Sequence, residues 1–194
     1  KCNQKGLIYK GEDSVPWCPR CGTAISQHEI LTEEYQELQH TAVTVRFPIV
    51  GRGHEFLLVW TTTPWTLPGN SAIAVTPKLI YSRVKVGNEI YYLAKNRIIP
   101  VLGREVEVLE EITGEKLLDV SYKGFFDNLP SVQKARLTNP RRFHIVVDGG
   151  ESVTDEEGTG LVHIAPSSGH EDFVLGKKYE LPMIYLIDEE ARFL

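Results

Sequence analysis

The spacing of apolar residues changes near residue 41, where a β-rich pattern begins. From Val43 to Ile49, apolar side chains at every second position alternate with threonine, arginine and proline, which predicts a strand with one buried face. Residues 55–62 contain a continuous apolar run, which is typical of a strand buried on both sides. Further short strands are predicted at 72–75, 81–86, 89–94, 106–109, 143–147 and 160–164.

Strands therefore outnumber helices, and their edges have to be covered. The pair Gly87-Asn88 suits a two-residue turn that joins 81–86 to 89–94 as a hairpin. A sheet that closes on itself removes exposed edges. We therefore expect an α+β, mainly β fold: a closed or barrel-like mixed β-sheet with a few peripheral helices.

One helix is clearly indicated near the end of the chain. Residues 170–179 follow Ser167 and Ser168, either of which can cap the first turn, and they carry acidic residues at the start and lysines at the end. This pattern predicts a helix of about ten residues. Asp172 lies near its start, just beyond a strand, either as a helix-dipole residue or as part of a site.

The first 40 residues follow a different pattern. Glycine and proline interrupt 1–30, which hold all three cysteines, and a short helix is predicted over 31–38 from apolar or aromatic residues spaced i, i+4 and i+7. We therefore divide the chain into a connector with a tight turn and a short helix over 1–40 and a main domain over 41–194.

Composition restricts the function classes. The 194 residues are 42% hydrophobic and 24% charged, enough for one core, and no apolar run approaches the roughly 18–20 residues of a membrane span. The net charge of −5 argues against gripping a long duplex, but not against binding a short single-stranded end. Three cysteines do not form a disulfide framework, so we expect a reducing, cytoplasmic location. The start at Lys1 leads us to expect a piece of a longer chain.

The run Cys18-Pro-Arg-Cys21-Gly22 has a spacing that zinc sites use, because two thiolates three positions apart can hold one ion. Zinc requires four ligands. We expect half of a structural zinc site whose other ligands lie outside this sequence. A turn that binds nothing, and a site completed by Cys2 or His28, are the alternatives.

The stretch 60–70, Trp-Thr-Thr-Thr-Pro-Trp-Thr-Leu-Pro-Gly-Asn, has the most unusual composition in the chain. Four threonines, two tryptophans and two prolines occur within its eleven residues. It fits a strand followed by a rigid turn, or a fixed loop that presents hydroxyl groups beside an aromatic wall and binds a small polar ligand.

His163 lies in the predicted apolar strand 160–164, where a hydrogen-bonded core histidine is the ordinary expectation. Ser167, Ser168 and Asp172 follow closely and could suggest a serine hydrolase. The Gly-x-Ser-x-Gly sequence of such enzymes is missing, so helix capping explains the serines better.

Three segments, in this order, resemble the isoleucyl-tRNA synthetases, in particular the connective-peptide insertion that forms their editing domain. The segments are 17–30, 60–70, and 158–166 followed by Glu171-Asp172. The related valine and leucine enzymes usually carry arginine and an acidic residue where this sequence has Thr63 and Trp65. In residues 95–145 we recognise no motif of the family.

The resemblance implies an editing function. A pocket that fits isoleucine discriminates against valine by only roughly 1–3 kcal/mol, a magnitude established on this enzyme family itself. The domain would hydrolyse valine from the 3′ adenosine of mischarged tRNA(Ile), or hydrolyse valyl-adenylate. Isoleucine would be excluded because its extra methylene clashes.

The resemblance also implies catalytic and nucleotide-binding residues. Asp172 would hold the α-ammonium group of the substrate, a role that suits an ionised carboxylate. Thr61, Thr62 and Thr63 would hold the terminal adenosine and position a water molecule at the ester. Asp172 and Thr62 are therefore the expected catalytic residues.

Three further residues would contact the substrate. Trp65 and His163 would lie beside the amino-acid side chain, with His163 as the steric gate. Asn70 would belong to the same binding loop. We expect hydrolysis by positioning and electrostatics, without a covalent enzyme intermediate.

The implied cofactors and partners follow the same resemblance. Editing would need no cofactor. ATP and magnesium would serve only a separate synthetic domain. Zinc would bind at Cys18 and Cys21 only in the longer chain, as a structural ion. The partners would be the 3′ end of tRNA(Ile) carrying valine, valyl-adenylate and the rest of the synthetase, with no membrane. A zinc-knuckle nucleic-acid-binding module without catalysis and an insertion with an inactive pocket are the alternatives.

Overall fold

A computed structural model describes residues 1–32 and 39–194. Its N-terminal part contains a 3-10 helix over Asn3–Lys5, a hairpin of β1 (Trp17–Cys18) and β2 (Thr23–Ala24), and helix α1 (Gln27–Thr32). The helix predicted over 31–38 falls mostly on residues outside the described part of the chain. It stays a prediction, as does the division at residue 40.

In the part of the chain that the structure describes, eight strands form the main sheet. They are β3 (Val43–Pro48), β4 (Glu55–Thr61), β5 (Ala72–Val75), β6 (Ile80–Val86), β7 (Glu89–Ala94), β8 (Glu107–Thr113), β9 (Ile145–Asp148) and β10 (Val162–Ile164). The spatial order is β8-β6-β7-β4-β10-β5-β9, and β3 pairs with β4. Parallel pairs (β4 with β7, β4 with β10, β5 with β9) occur beside antiparallel ones. The predicted mainly β, barrel-like mixed sheet is confirmed.

Strand β4 is the point at which the sheet divides. It pairs with β3 along one edge, while on the other edge its first residues pair with β7 and Trp60 pairs with β10. Residues 119–123 complete one side, because single bridges join Tyr122 to Ile49 after β3 and Ser121 to Ile145 in β9. This segment closes a ring with β3, β4, β10, β5 and β9, and β7, β6 and β8 continue the sheet outward from β4.

A core of aliphatic and aromatic side chains fills the curled sheet. All four residues of β5 are fully buried, as expected for an unbroken apolar strand in the middle of the ring. The largest buried side chains include Tyr81, Phe47, Leu57, Ile73 and Leu93. Burial of each such side chain contributes roughly 1.5–3 kcal/mol. The strand ends that carry the loops are therefore held on a well-packed frame.

Helices are short and lie outside the sheet, as predicted. They are α2 (Ile98–Leu102), α3 (Pro130–Arg136) and α4 (His170–Tyr179), the last with the predicted bounds. The predicted serine cap is wrong: Gly169 occupies the cap position of α4, and the Ser167 hydroxyl donates to the carbonyl of Ile184 instead. Within the described ranges, no helix combines the length and the apolar character that crossing a membrane requires.

Strand β8 extends beyond the predicted 106–109. Six of its seven residues are exposed, and three of them are glutamates. An edge strand of this kind lacks the apolar alternation by which a strand is predicted, and its pairing with β6 defines it instead.

Candidate functional site

The carboxyl-terminal ends of two neighbouring strands meet above one pocket. Because β4 and β10 run parallel, with Trp60 opposite Val162, the segments that follow them leave the same edge of the sheet. The pocket has a volume of about 340 Å³. It is lined by Trp60, Thr61, Thr62, Thr63, Trp65, Thr66, Val162, His163, Ser168, Gly169 and Asp172. Six of the seven predicted substrate-site residues therefore converge here; Asn70 lies behind the wall.

The threonine-rich loop is fixed by its own side chains. After β4 ends, the chain enters a 3-10 helix over Pro64–Gly69, with a proline at its first position. The Thr61 hydroxyl accepts the backbone N–H of Thr63 at 3.1 Å, and the Thr66 hydroxyl donates to the carbonyl of Thr63 at 2.8 Å. Thr62 is exposed at the pocket and makes none of these bonds. The loop thus holds its shape while leaving hydroxyl and backbone groups for a ligand.

Asp172 joins helix α4 to the end of β10. One carboxylate oxygen, Oδ2, accepts the backbone N–H of Ala165 at 2.7 Å. Across residues 1–32 and 39–194 this is the only hydrogen bond to the carboxylate, so Oδ1 is left for a ligand. Burial raises the pKa of Asp172 to about 6, against the lowering effect of the Ala165 N–H, and Glu171 adds to the rise. The carboxylate is predominantly ionised at pH 7, and a cation in the pocket stabilises that form.

His163 is both a buried histidine and a pocket wall, so the two sequence interpretations coincide. It is 5% exposed, and burial lowers its pKa to about 4. Its Nε2 lies 2.9 Å from the Thr66 hydroxyl and its Nδ1 lies 2.8 Å from Nδ2 of Asn70. The ring is therefore uncharged at neutral pH.

These contacts also define which nitrogen of His163 carries the proton. The Thr66 hydroxyl has one hydrogen, which goes to the Thr63 carbonyl, so Nε2 of His163 must be the donor to that hydroxyl. Asn70 Nδ2 donates to the carbonyl of Ala72 at 2.9 Å, which identifies it as the amide nitrogen, and Nδ1 of His163 is then an acceptor. Neither ring nitrogen remains free to transfer a proton in the pocket.

The two tryptophans form the aromatic part of the wall. Trp60 packs against Gly158, where an added Cβ would come within 2.6 Å of the indole and where φ is +59°, so only glycine fits. Trp65 lies in the 3-10 helix after β4 and is 51% exposed. A ligand that covers Trp65 would remove a large apolar surface from water.

Asn70 occupies a different position from the other predicted residues. It is 4% exposed and does not line the pocket, and its side chain contacts His163, Ala72 and Tyr122. Its role as a substrate contact stays a prediction. The geometry favours support of His163 from behind.

Cys18 and Cys21 lie on the β1–β2 hairpin, apart from the pocket. Gly22 takes a positive φ of 64°, and the backbone N–H of Cys21 points at Sγ of Cys18 at 3.3 Å, as in a metal-binding turn. A hydrogen bond from Cys21 lowers the pKa of the Cys18 thiol, and the same contact raises the pKa of Cys21. Among the residues that the structure describes, no cluster of three or more potential ligands is present, and neither Cys2 nor His28 joins the pair.

A larger cavity of about 640 Å³ lies between residues 11–17 and 183–189. Its polar lining is mostly acidic, and of the residues considered for chemistry only Ser167 reaches it, within the described part of the chain. The smaller pocket, in which Asp172 and the threonine loop converge, is the better candidate site.

Three groups that shape the pocket or the wall behind it could not be predicted from the sequence. Thr66 belongs to the threonine run but carries no separate signal, although it links His163 to the loop. Tyr122 stands in the region without a recognised motif, 52 residues from its partner Asn70. The backbone N–H of Ala165 cannot be assigned from residue type at all.

Comparison with known proteins identifies the family. The model for class I tRNA synthetases (I, L, M and V) matches residues 1–186. The chain is 42% identical over 190 residues to the isoleucine–tRNA ligase of Clostridium acetobutylicum, covering 98% of this chain and 17% of that protein. For the Pyrococcus horikoshii isoleucine–tRNA ligase the identity is 42% over 202 residues, covering 100% and 19%. The chain thus spans less than a fifth of the length of these curated relatives.

Solved structures share the fold. The crystal structure of GlLeuRS-CP1 superposes with a TM-score of 0.57 at 16% identity, covering 71% of this chain and 58% of that one. The Plasmodium knowlesi cytosolic leucyl-tRNA synthetase editing domain gives 0.55 at 11% identity, covering 76% and 67%. The predicted resemblance to isoleucyl-tRNA synthetases is confirmed, and the chain belongs to the class I tRNA synthetase family.

Proposed function

We propose that this domain edits: it hydrolyses the ester that joins valine to the 3′ adenosine of tRNA(Ile) and spares the isoleucyl ester. The observation that carries the proposal is the convergence of Asp172, the threonine loop and the neutral His163 on one pocket of about 340 Å³. Family membership and the fold shared with leucyl-tRNA synthetase editing domains support it.

Asp172 is the proposed anchor for the α-ammonium group. An aminoacyl ester differs from an ordinary ester by a cation next to its carbonyl, and a partly buried carboxylate with one free oxygen binds such a cation strongly. Pairing with the ammonium lowers the pKa of Asp172 again, so binding and ionisation reinforce each other. The ester carbonyl is then held a fixed distance from the helix start.

The threonine loop is proposed to hold the nucleoside and the attacking water. Thr62 is exposed at the pocket and its hydroxyl is not used by the loop, which makes it the proposed catalytic partner of Asp172. Thr61 and Thr63 shape the loop beneath it. Since both nitrogens of His163 are engaged, we propose that the rate comes from positioning and electrostatics rather than from a histidine base.

Selectivity is proposed to arise at His163 and Trp65. His163 is held by hydrogen bonds on both ring nitrogens, so the wall cannot move aside for a larger side chain at low cost. Valine then fits, and the additional methylene of isoleucine clashes. A pocket that is too small for isoleucine discriminates between the two amino acids more strongly than a pocket that is too large for valine. Forcing an extra methylene into a filled pocket costs more than leaving a small void beside valine.

Further partners belong to the same proposal. Valyl-adenylate carries the same α-ammonium group and is a second substrate, and the remainder of a synthetase chain would deliver both.

We also propose that Cys18 and Cys21 supply two of the four ligands of a structural zinc ion in the longer chain, where a closed four-ligand site stabilises the fold.

The test is deacylation of valyl-tRNA(Ile) and isoleucyl-tRNA(Ile) by this chain at equal concentrations. We expect valyl-tRNA to be cleaved well above the spontaneous rate and isoleucyl-tRNA to remain near it. Equal rates on the two esters would refute the selectivity, and no acceleration of valyl-tRNA hydrolysis by this chain or by a longer synthetase that contains it would refute the function. If a longer synthetase that contains the domain hydrolyses valyl-tRNA but the excised chain does not, delivery rather than chemistry is lacking, so both proteins are assayed.

A further inference from the structure

Tyr122 connects the ring of strands to the pocket wall. The segment 119–123 is held between β3 and β9, with the Val50 N–H donating to the Ser121 carbonyl at 2.9 Å and the Tyr122 N–H donating to the His144 carbonyl at 3.1 Å. The Tyr122 ring is 3% exposed and packs edge-on against Phe47, with centroids 5.2 Å apart. Burial holds the pKa of Tyr122 well above its usual range, so the hydroxyl keeps its proton.

Within the described part of the chain, the Asn70 side chain is the single hydrogen-bond partner of that hydroxyl. The Tyr122 hydroxyl donates to Oδ1 of Asn70 at 2.6 Å, and the other end of the same amide, Nδ2, faces both the Ala72 carbonyl and Nδ1 of His163. Nε2 of His144 lies 3.1 Å from the Asn70 carbonyl and holds the backbone at this point. Every polar atom of Asn70 that faces the interior therefore has a partner of the matching kind.

We infer that Tyr122 is a positioning residue, whose hydroxyl fixes the orientation of the Asn70 amide and thereby keeps His163 in the neutral form with the proton on Nε2. Without the hydroxyl, Oδ1 of Asn70 is buried and unpaired. The Ala72 carbonyl is then left to oppose rotation of the amide without the help of Tyr122. In the rotated amide Oδ1 faces Nδ1 of His163, a contact that is favourable only when Nδ1 carries a proton. The Asn70 amide then no longer keeps the proton of His163 on Nε2, and the hydrogen bond from Nε2 to Thr66 depends on that proton.

The consequence for selectivity rests on the proposed editing function, whereas the consequence for His163 itself does not. A neutral ring with Nε2 bound to Thr66 forms a fixed wall beside the substrate. A ring that exchanges between protonation states loses this fixed bond and gives way to a larger side chain. Tyr122, which does not line the pocket, thus acts on the gate through Asn70.

The test is long-range ¹H–¹⁵N NMR of the histidine rings in the parent chain and in Tyr122→Phe, with a His163→Gln spectrum to assign the His163 signals. In the parent we expect one proton on Nε2 and none on Nδ1 of His163 from pH 5.5 to 8. In Tyr122→Phe we expect signals of Nδ1 protonation within that range, because the change removes one oxygen and retains the ring that packs on Phe47.

The matched control is Tyr92→Phe. Tyr92 is also buried, at 2% exposure, and its hydroxyl donates to Oε2 of Glu55 at 2.7 Å, away from Asn70. We expect it to lower the melting temperature without altering the His163 signals. A third variant, Asn70→Asp, places a carboxylate oxygen against Nδ1 and should favour its protonation more strongly than Tyr122→Phe does.

The outcomes separate this inference from the editing proposal. Unchanged His163 signals in a folded Tyr122→Phe protein, or the same change in Tyr92→Phe, would overturn the inference and leave the editing proposal intact. If Tyr122→Phe does not fold, an Asn70→Asp protein with His163 still protonated only on Nε2 would overturn it as well. Where the parent chain edits, we expect Tyr122→Phe to reduce the valyl-to-isoleucyl rate ratio about threefold to tenfold, and Tyr92→Phe to leave it unchanged.

Discussion

Two regions of the molecule carry strong sequence signals, but the fold brings additional functional residues to only one of them. In the pocket above β4 and β10, side chains separated by about a hundred residues converge, and Asp172, His163 and the threonine loop line one cavity. At the β1–β2 hairpin, Cys18 and Cys21 contact each other, but within the described ranges no third or fourth ligand approaches them. A local motif becomes a site only where the fold supplies the missing partners.

The two regions also differ in electrostatics. The pocket keeps a partly buried carboxylate with one free oxygen, which costs stability in the absence of a ligand. Cys21 is exposed and Cys18 is partly exposed, so the ionisation of these thiols affects the stability of the fold little.

The largest effect is expected for Asp172→Asn. The amide keeps an oxygen for the Ala165 N–H but loses the charge that binds the ammonium, so valyl-tRNA hydrolysis should fall at least about 100-fold. Glu171→Gln, the same chemical change at the exposed neighbouring position, is the control and should leave the rate within about twofold. A fully active Asp172→Asn protein would contradict the assignment of the anchor.

The same substitution should raise stability, which separates loss of function from loss of fold. The folded-state pKa of Asp172, about 6, lies above its ordinary value of 3.8, so the folded protein binds the proton more tightly. The associated stability is fully present below pH 3.8 and is lost as the pH rises through 6. At pH 7 the free energy of unfolding of Asp172→Asn should exceed that of the parent by about 2–3 kcal/mol, as measured by urea denaturation. An equal or lower value would show that burial of this carboxylate carries no cost.

The pH profile of hydrolysis gives the next largest effect. Only the ionised carboxylate binds the ammonium, so kcat/KM in the parent should rise about tenfold between pH 5 and 7, with a midpoint near 6. His163, with a pKa of about 4, should add no step in this range. A profile that is flat from pH 5 to 7 would argue that Asp172 does not act through its charge.

A smaller and more specific effect is expected for His163→Ala. Removal of the ring opens the wall, and hydrolysis of isoleucyl-tRNA should increase about tenfold, the amount that one methylene is worth. His170→Ala, an exposed histidine at the start of α4, is the matched control and should keep isoleucyl-tRNA intact. Unchanged selectivity in a folded His163→Ala protein would remove His163 from the gate.

The smallest effect is expected at the hairpin. In this chain, Cys18→Ser and Cys21→Ser should change the free energy of unfolding by no more than about 0.5 kcal/mol and leave the deacylation rate unaltered, because Cys21 is exposed and Cys18 is partly exposed. Metal analysis should find no stoichiometric zinc. One tightly held zinc per chain, lost in either variant, would show that the hairpin is a complete site and would remove the contrast with the pocket.

Much of the fold could be predicted because it depends on the pattern of residues that are close in sequence. The strands β5 and β7 and helix α4 have the predicted bounds, since apolar runs, a Gly-Asn turn and oppositely charged helix ends act within a few residues. Features that depend on distant partners could not be predicted. The Ser167 hydroxyl goes to Ile184 rather than to the start of α4, and β8 is defined by pairing with β6.

The candidate site shows the same division. Its residue types were evident from the threonine run and from the family resemblance. The burial, the pKa values and the hydrogen-bond partners of those residues were not. The sequence predicted an ordinary carboxylate at Asp172, whereas burial raises its pKa to about 6. Asn70 was grouped with the pocket, yet it lies behind His163, where Tyr122 reaches it from a region without a motif.

The most direct measurement is the binding of an uncleavable valyl-adenosine, in which an amide replaces the ester, compared with the same molecule lacking the α-amine. If the pocket recognises an aminoacyl group through Asp172, the amine-bearing compound binds the parent chain at least about tenfold more tightly at pH 7, and the advantage disappears in Asp172→Asn. Equal affinity of the two compounds for the parent chain would contradict this account of the pocket.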